Sequence, residues 1–164
     1  LSGYVGPKEK RTGPFNSYIY NNTVYVREDI VAKVSVAASA EGVLVANNIF
    51  YWVGPSRDVV GDQSRGQQGA VNPILRTIFA NNLFLRQDTW PAGVAMQDTA
   101  PLVGDPQFAN PGGLDLRDYL PGNHALIKHL PEDDLGLVLG LKVSHDILGQ
   151  PVWGKPDLGA IEVP

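Results

Sequence analysis

A chain of 164 residues, 43% hydrophobic and 18% charged, can bury a sizeable core in one domain, which excludes an intrinsically disordered segment. The net charge of −4, without any Lys/Arg run, offers no electrostatic footprint for nucleic acid. The lack of cysteine excludes disulfides and thiolate metal sites, and no apolar run is long enough to span a bilayer as a helix.

Residues 1–14 lack both the basic start and the apolar middle of a signal peptide, and there is no initiator methionine. The chain therefore reads as a mature or excised piece of something longer. This stretch is expected to cap the first repeat, unless a preceding segment, a partner chain or a second copy does so. Glycine (18) and proline (13) are frequent, which favours short strands joined by many turns.

Three segments then repeat one pattern: Tyr18-Ile19-Tyr20-Asn21-Asn22-Thr23-Val24-Tyr25, Val43-Leu44-Val45-Ala46-Asn47-Asn48-Ile49-Phe50-Tyr51 and Thr77-Ile78-Phe79-Ala80-Asn81-Asn82-Leu83-Phe84-Leu85. The second asparagines lie 26 and 34 residues apart, the spacing of solenoid repeats. Asparagine tolerates the left-handed backbone region, so one residue can turn the chain between two strands. Stacked copies would also let the amides form ladders. Hairpins favour Asn-Gly or Asp-Gly, whereas an apolar residue or Thr follows each pair here, so stacking is the better reading.

In the first repeat, Arg27-Glu28-Asp29 reads as a turn and 31–37 as a further strand, with Ala40-Glu41-Gly42 turning into the next copy. The loop of the second repeat grows to 54–72. The third passes through 86–91 to a strand at 93–97.

The corners at 21–22, 47–48 and 81–82 resemble those of right-handed parallel β-helix proteins of the pectate-lyase-like superfamily. Gly104-Asp105-Pro106-Gln107-Phe108-Ala109-Asn110-Pro111 resembles the DPxFVNP stretch near the end of such chains. Residues 116–126 take the place of the L-x-x-G-S-P-A-I-D stretch, with Asn123-His124 where Ser-Pro is usual. Asp146-Ile147-Leu148-Gly149-Gln150-Pro151 and Pro156-Asp157-Leu158-Gly159-Ala160-Ile161-Glu162 are similar to the terminal D-x-x-G-x-P and PDIGAYE stretches. The resemblance implies an all-β right-handed parallel β-helix (solenoid): its last few coils over 1–110, and a C-terminal cap over 111–164. The cap is expected to cover the last coil with loops, one helical turn and an extended stretch at 158–163, with 131–134 supplying carboxylates for a helix N-terminus.

The same resemblance places ligands along the sheet that follows the variable loops. Strand alternation puts Lys33 and Ser35 on one face and Ala32, Val34 and Val36 on the other, so Lys33 would enter the groove with Arg27, Glu28 and Asp29 at its rim. A lysine there could move a proton in a lyase; the alternative is a solvated lysine. Asp58 and Asp62 lie four residues apart in a glycine-rich loop. They suit glycoside hydrolysis, Ca²⁺ or plain solvation, and no calcium-loop spacing is present. Tyr51, Trp52 and Trp90 are candidates for a sugar-stacking platform or for packing under long loops. Arg27, Arg57 and Arg65, and also Arg76 and Arg86, are candidates for contacts to sugar carboxylates. His124, His129 and His145 show no metal-ligand spacing, so no metal site is assigned.

The function expected is that of the C-terminal part of a secreted, cell-surface or periplasmic protein. It would bind and cleave a polysaccharide by lyase or glycoside-hydrolase chemistry. The competing expectation is a non-enzymatic, adhesin-type scaffold or an inert fragment.

Overall fold

The computed structural model describes residues 4–5, 11–12, 14–36, 40–60, 75–89, 98–128 and 140–164, with backbone alone at 4–5, 11–12, 33–35, 57–60, 75–77 and 89. In chain order the strands are β1 (Tyr4–Val5), β2 (Arg11–Thr12), β3 (Phe15–Tyr20), β4 (Thr23–Val26), β5 (Ala32–Val36) and β6 (Glu41–Ala46). They continue with β7 (Ile49–Trp52), β8 (Ser56–Val60), β9 (Leu75–Ala80), β10 (Leu83–Phe84) and β11 (Leu102–Val103). Among the described residues, helix is limited to short 3-10 turns at Gln87–Thr89 and Leu116–Tyr119 and to α1 (His124–Ile127). The regular structure of the described residues is thus mostly strand, in sheets that are parallel except for the β1–β2 pair.

The Asn-Asn repeat generates the two larger sheets. Stretches before the pairs form the sheet β3-β6-β9, and stretches after them form β11-β10-β7-β4. Tyr20, Ala46 and Ala80 stand level across the first sheet; Thr23, Ile49, Leu83 and Leu102 stand level across the second. Every corner therefore lies in register with its neighbour. The first asparagine of each pair takes the left-handed conformation (φ 52°, 56° and 55° at Asn21, Asn47 and Asn81). A matching bend occurs earlier in the strands at Asn16 and Gly42, whose φ values are 48° and 69°. At Gly42 it is the left-handed dihedral that favours glycine; a Cβ there would lie 2.5 Å from Asn16 Oδ1, which would have to rotate away.

Both faces of β7 and β10 are buried and β4 beside them is half-buried, which fits their continuous apolar runs. Phe50, Trp52 and Phe84 point inward to Ala32, Val36, Val43, Val45 and Phe79. Ile49, Tyr51 and Leu83 point the other way, to Phe108, Ile127, Leu158 and Val163. Each such apolar side chain contributes about 1.5–3 kcal/mol by leaving water.

The outward aromatics are covered by the described part of 111–164. It runs along the outer face and crosses the first two corners, where Asn21 Nδ2 donates to Asp157 O at 2.7 Å and Gly159 N to Asn47 O at 3.0 Å. Residues 158–163 join no strand of the described residues; single backbone bonds to Ile127, Asn47 and Ile147 and several side chains hold them. Asp157 Oδ2 accepts from Val163 N at 2.7 Å, Glu162 Oε1 from Asp157 N at 2.9 Å, and Asp146 Oδ2 from Glu162 N at 3.1 Å. The carboxylates of the terminal stretches are therefore braces. Asn123 N-caps α1 by accepting from Leu126 N at 3.3 Å. The expected strand at 93–97 and the carboxylates of 131–134 lie outside the described residues.

Candidate functional site: a cleft at the Arg27 turn

The turn after β4 closes through a hydrogen bond from Ile30 N to Arg27 O at 3.2 Å. The following layer fits directly beneath it: a Cβ on Gly54 would lie 2.5 Å from Glu28 O, so no larger residue fits there without a shift. Facing this turn is the segment Asn110-Pro111-Gly112-Gly113. It is drawn in by an aromatic cluster in which Tyr25 meets Tyr51 at 5.8 Å and Tyr119 at 5.9 Å, and Phe108 meets Tyr51 at 5.1 Å. Tyr119 Oη donates to Gly113 O at 3.1 Å, and Asn110 N donates to Asp118 O at 2.8 Å. Gly112, at φ 96°, lets the backbone pass the Tyr25 hydroxyl, from which a Cβ would be 2.9 Å away.

The result is a cleft of about 480 Å³ lined by Tyr25, Arg27, Glu28, Asp29, Val53 and the 110–113 segment. Arg27 presents its guanidinium edge to Asp29, Nε to Oδ1 at 2.9 Å and Nη2 to Oδ2 at 3.0 Å. Both side chains are exposed, so the pair adds about 0–1 kcal/mol to stability, but it fixes where the fork points. One cation against two carboxylates gives this lining no preference for anions. Its mixed donors and acceptors match the hydroxyls of a neutral polyol.

The sequence singled out Arg27, Glu28 and Asp29 as a rim, and the structure brings these three together. It moves two other candidates away from ligand. Tyr51 is 9% exposed and Trp52 3%, on opposite faces of β7. Tyr51 stacks within the aromatic cluster above, and burial, with Asp105 and then Tyr25 adding to it, pushes its hydroxyl up from 10.0. Trp52 packs on Phe50 at 4.9 Å and Phe84 at 6.4 Å. Consecutive strand residues alternate in direction, so these two could never share one platform. They serve the two cores.

Lys33 and Asp58 lie on paired strands at staggered register positions. Lys33 stands opposite Arg57, and Asp58 opposite Val34, in the parallel β5–β8 pair. They thus occupy positions of opposite alternation, Lys33 out of step with buried Ala32 and Val36, Asp58 in step with them. The side chains of Lys33, Arg57, Asp58 and Arg76, and the whole of Asp62, Arg65, Trp90 and His129, lie outside what is described. Arg86 Nε meets Asp88 Oδ1 at 3.0 Å in an exposed turn. His124 and His145 are exposed. Among the described residues no group of three or more His, Cys, Asp or Glu could hold a metal ion, and no helix is long and apolar enough to cross a membrane.

The opposing wall, 110–113, was missed as part of a site because its sequence reads as a fold signature. The Gly112-Gly113 pair beside Pro111 was the available signal: two glycines in a row mark a backbone that something approaches closely. No protein-family model matches the chain, nor does any curated protein or solved structure.

Proposed function

We propose that this chain forms the closing coils of a right-handed parallel β-helix of the pectate-lyase-like kind, and that the protein binds a polysaccharide along the loops that follow each corner. The observation carrying this reading is the register of the three Asn-Asn corners, each with a left-handed first asparagine. A unit repeated by near-translation stacks its loops along one side, which is the geometry a chain-like ligand requires. The Arg27 cleft opens on that side and offers a polyol both donors and acceptors. Among the described residues β3 and β4 pair on one side alone, and in this reading a preceding coil, a partner chain or a second copy continues the stack there. A ligand too large to enter cells puts the protein outside the membrane, as a secreted, surface or periplasmic protein.

Cleavage by lyase or glycoside-hydrolase chemistry is the fuller form of the proposal, with Lys33 as the candidate proton-transfer group. The scaffold reading is favoured by one observation: Lys33 and Asp58 do not share a strand alternation. A glycan array probed with this protein, followed by reducing-end and unsaturated-product assays, separates the two. Turnover lost in Lys33→Ala supports an enzyme. Binding weakened by Arg27→Ala, with no turnover, supports a scaffold. No binding to any glycan overturns both.

A further inference from the structure

Among the described residues the first layer of the stack, β3 and β4 with the corner between them, pairs on one side alone. We propose that its open edge docks a strand–asparagine–strand segment of another polypeptide, which adds in parallel and donates to Asn22 Oδ1. The proposal rests on the stacked corners of the reading above and not on its saccharide, so the two fail separately.

The asparagine ladder has a direction. Asn22 and Asn48 each donate a backbone and a side-chain N–H to Oδ1 of the next layer's asparagine. Asn22 Oδ1 holds the accepting place of that series and receives a bond from no described residue. The backbone series runs the other way: Ile49 N, Leu83 N and Leu102 N donate to Asn22 O, Asn48 O and Asn82 O at 2.8, 2.8 and 2.9 Å. Thr23 stands level with these three as the next donor. The core is open here as well. Ile19, Val24 and Val26 are half-buried, whereas Val45, Phe50 and Trp52, level with them in the second layer, are buried. Tyr18 is 45% exposed against 2% for Leu44 beside it. An apolar edge of this kind is a template for an added strand.

The missing donors decide the occupant. One residue has to bring a backbone N–H and a side-chain amide N–H, as asparagine does in the other layers. Residues 1–14 contain neither asparagine nor glutamine, and β2, which leads towards β3, pairs antiparallel with β1 rather than within the stack. A second copy brings the wrong groups on either end. Joined first layer to first layer, it sets Asn22 Oδ1 against Asn22 Oδ1. Joined end to end, it presents Asp98, whose Oδ2 and Oδ1 accept from Asn82 and from Ala100 N, and which has no side-chain N–H to give. The occupant is therefore a segment of a different chain, apolar on both sides of an asparagine.

The test uses a fluorescein-labelled peptide with the sequence of the second corner, Glu41–Val53, titrated with the intact protein and read by fluorescence anisotropy. Within the protein that sequence already makes the required contact, Asn48 donating twice to Asn82. The expected result is saturable binding, with amide exchange slowed across Thr23–Val26. The peptide carrying Asn48→Leu should bind about tenfold more weakly. Asn22→Ala in the protein should weaken the unmodified peptide by a similar factor, and the peptide variant decides if that protein variant does not fold. Binding that is indifferent to Asn48→Leu, or that protects Leu102–Val103 instead, overturns the assignment. Absence of binding overturns it too. A wild-type dimer that Asn22→Ala returns to monomer overturns it in favour of a second copy.

Discussion

Asn48 gives its backbone N–H and its side-chain Nδ2 to one oxygen, Oδ1 of Asn82, at 3.1 and 2.8 Å. The same fork joins Asn22 to Asn48, both at 3.0 Å, and Asn82 to Asp98 Oδ2, at 3.1 and 2.6 Å. The remaining amide hydrogens of Asn48 and Asn82 reach Ile19 O and Val45 O, at 3.0 and 2.9 Å. Two fully buried polar side chains are thereby satisfied without water. An aspartate suits the last position, because it has no amide N–H to pass on and can still accept two.

Asn48→Ala removes the acceptor for Asn22 and the donor to Asn82 and Ile19, all in a buried setting. The expected loss is about 2–4 kcal/mol in urea-induced unfolding. Asn48→Asp keeps the acceptor but sets a carboxylate against Asn82 Oδ1 and Ile19 O. It should be at least as damaging near neutrality and should recover part of the loss in acid, where the carboxyl can donate.

The ladder was legible in the sequence because it needs only residue type and spacing, and the Asn-Asn pairs supply both. Its end was not: Asp98 lies 16 residues beyond Asn82, off the period, and only the fold brings it level. The location of the terminal segment was also hidden. The clue was the run Ile49-Phe50-Tyr51-Trp52, apolar at every position, which demands cover on both faces of its sheet. Of the two readings open for those aromatics, a platform or packing, only packing meets that demand. The Arg27 rim was legible because a turn of three charged residues stays exposed wherever the chain folds. Its opposite wall depends on long-range packing of Phe108 and Tyr119, which no local pattern announces.

Gly159 lies where the terminal segment crosses the corners. A Cβ there would fall 2.6 Å from Ile49 Cδ1 and 2.7 Å from Thr23 Oγ1, at φ 83°. Gly154 has the same φ, 83°, with open space around it. Gly154→Ala should cost only the left-handed penalty, about 1–2 kcal/mol. Gly159→Ala should cost clearly more, about 3–5 kcal/mol, since the strain adds to a clash in a packed core. Equal losses in thermal or denaturant unfolding would contradict the packing of 157–160 on the corners.

Glu162 titrates where stability can report it. Burial pushes its carboxyl up from 4.5; the Asp157 N–H bond and Lys128 pull it down, while the charges of Asp157 and Asp146 push it further up. The folded protein therefore holds the proton more tightly than the unfolded chain. Between 4.5 and the raised value the native state binds more protons, so Glu162 makes stability fall as pH rises through that window. Its unfavourable contribution is full above the raised value and gone below 4.5. Glu162→Gln keeps an oxygen for Asp157 N and removes the titration. The variant should gain on wild type as pH rises from 4 towards 7, in unfolding midpoints measured across that range. A difference independent of pH would refute the assignment.

Tyr51 and Trp52 separate a packing role from a ligand-binding role most directly. Each lies on its own side of β7, Tyr51 against Tyr25 and Phe108, Trp52 against Phe50 and Phe84. Truncation to alanine opens a large cavity in one core or the other, with an expected loss of about 3–5 kcal/mol for Trp52→Ala and nearly as much for Tyr51→Ala. The two losses should add within about 0.5 kcal/mol, because the rings face different cores. Saccharide affinity per folded molecule should stay at the wild-type value in both variants, since neither ring offers a face to solvent. Trp52→Ala with native stability and lost affinity would return that residue to the binding surface.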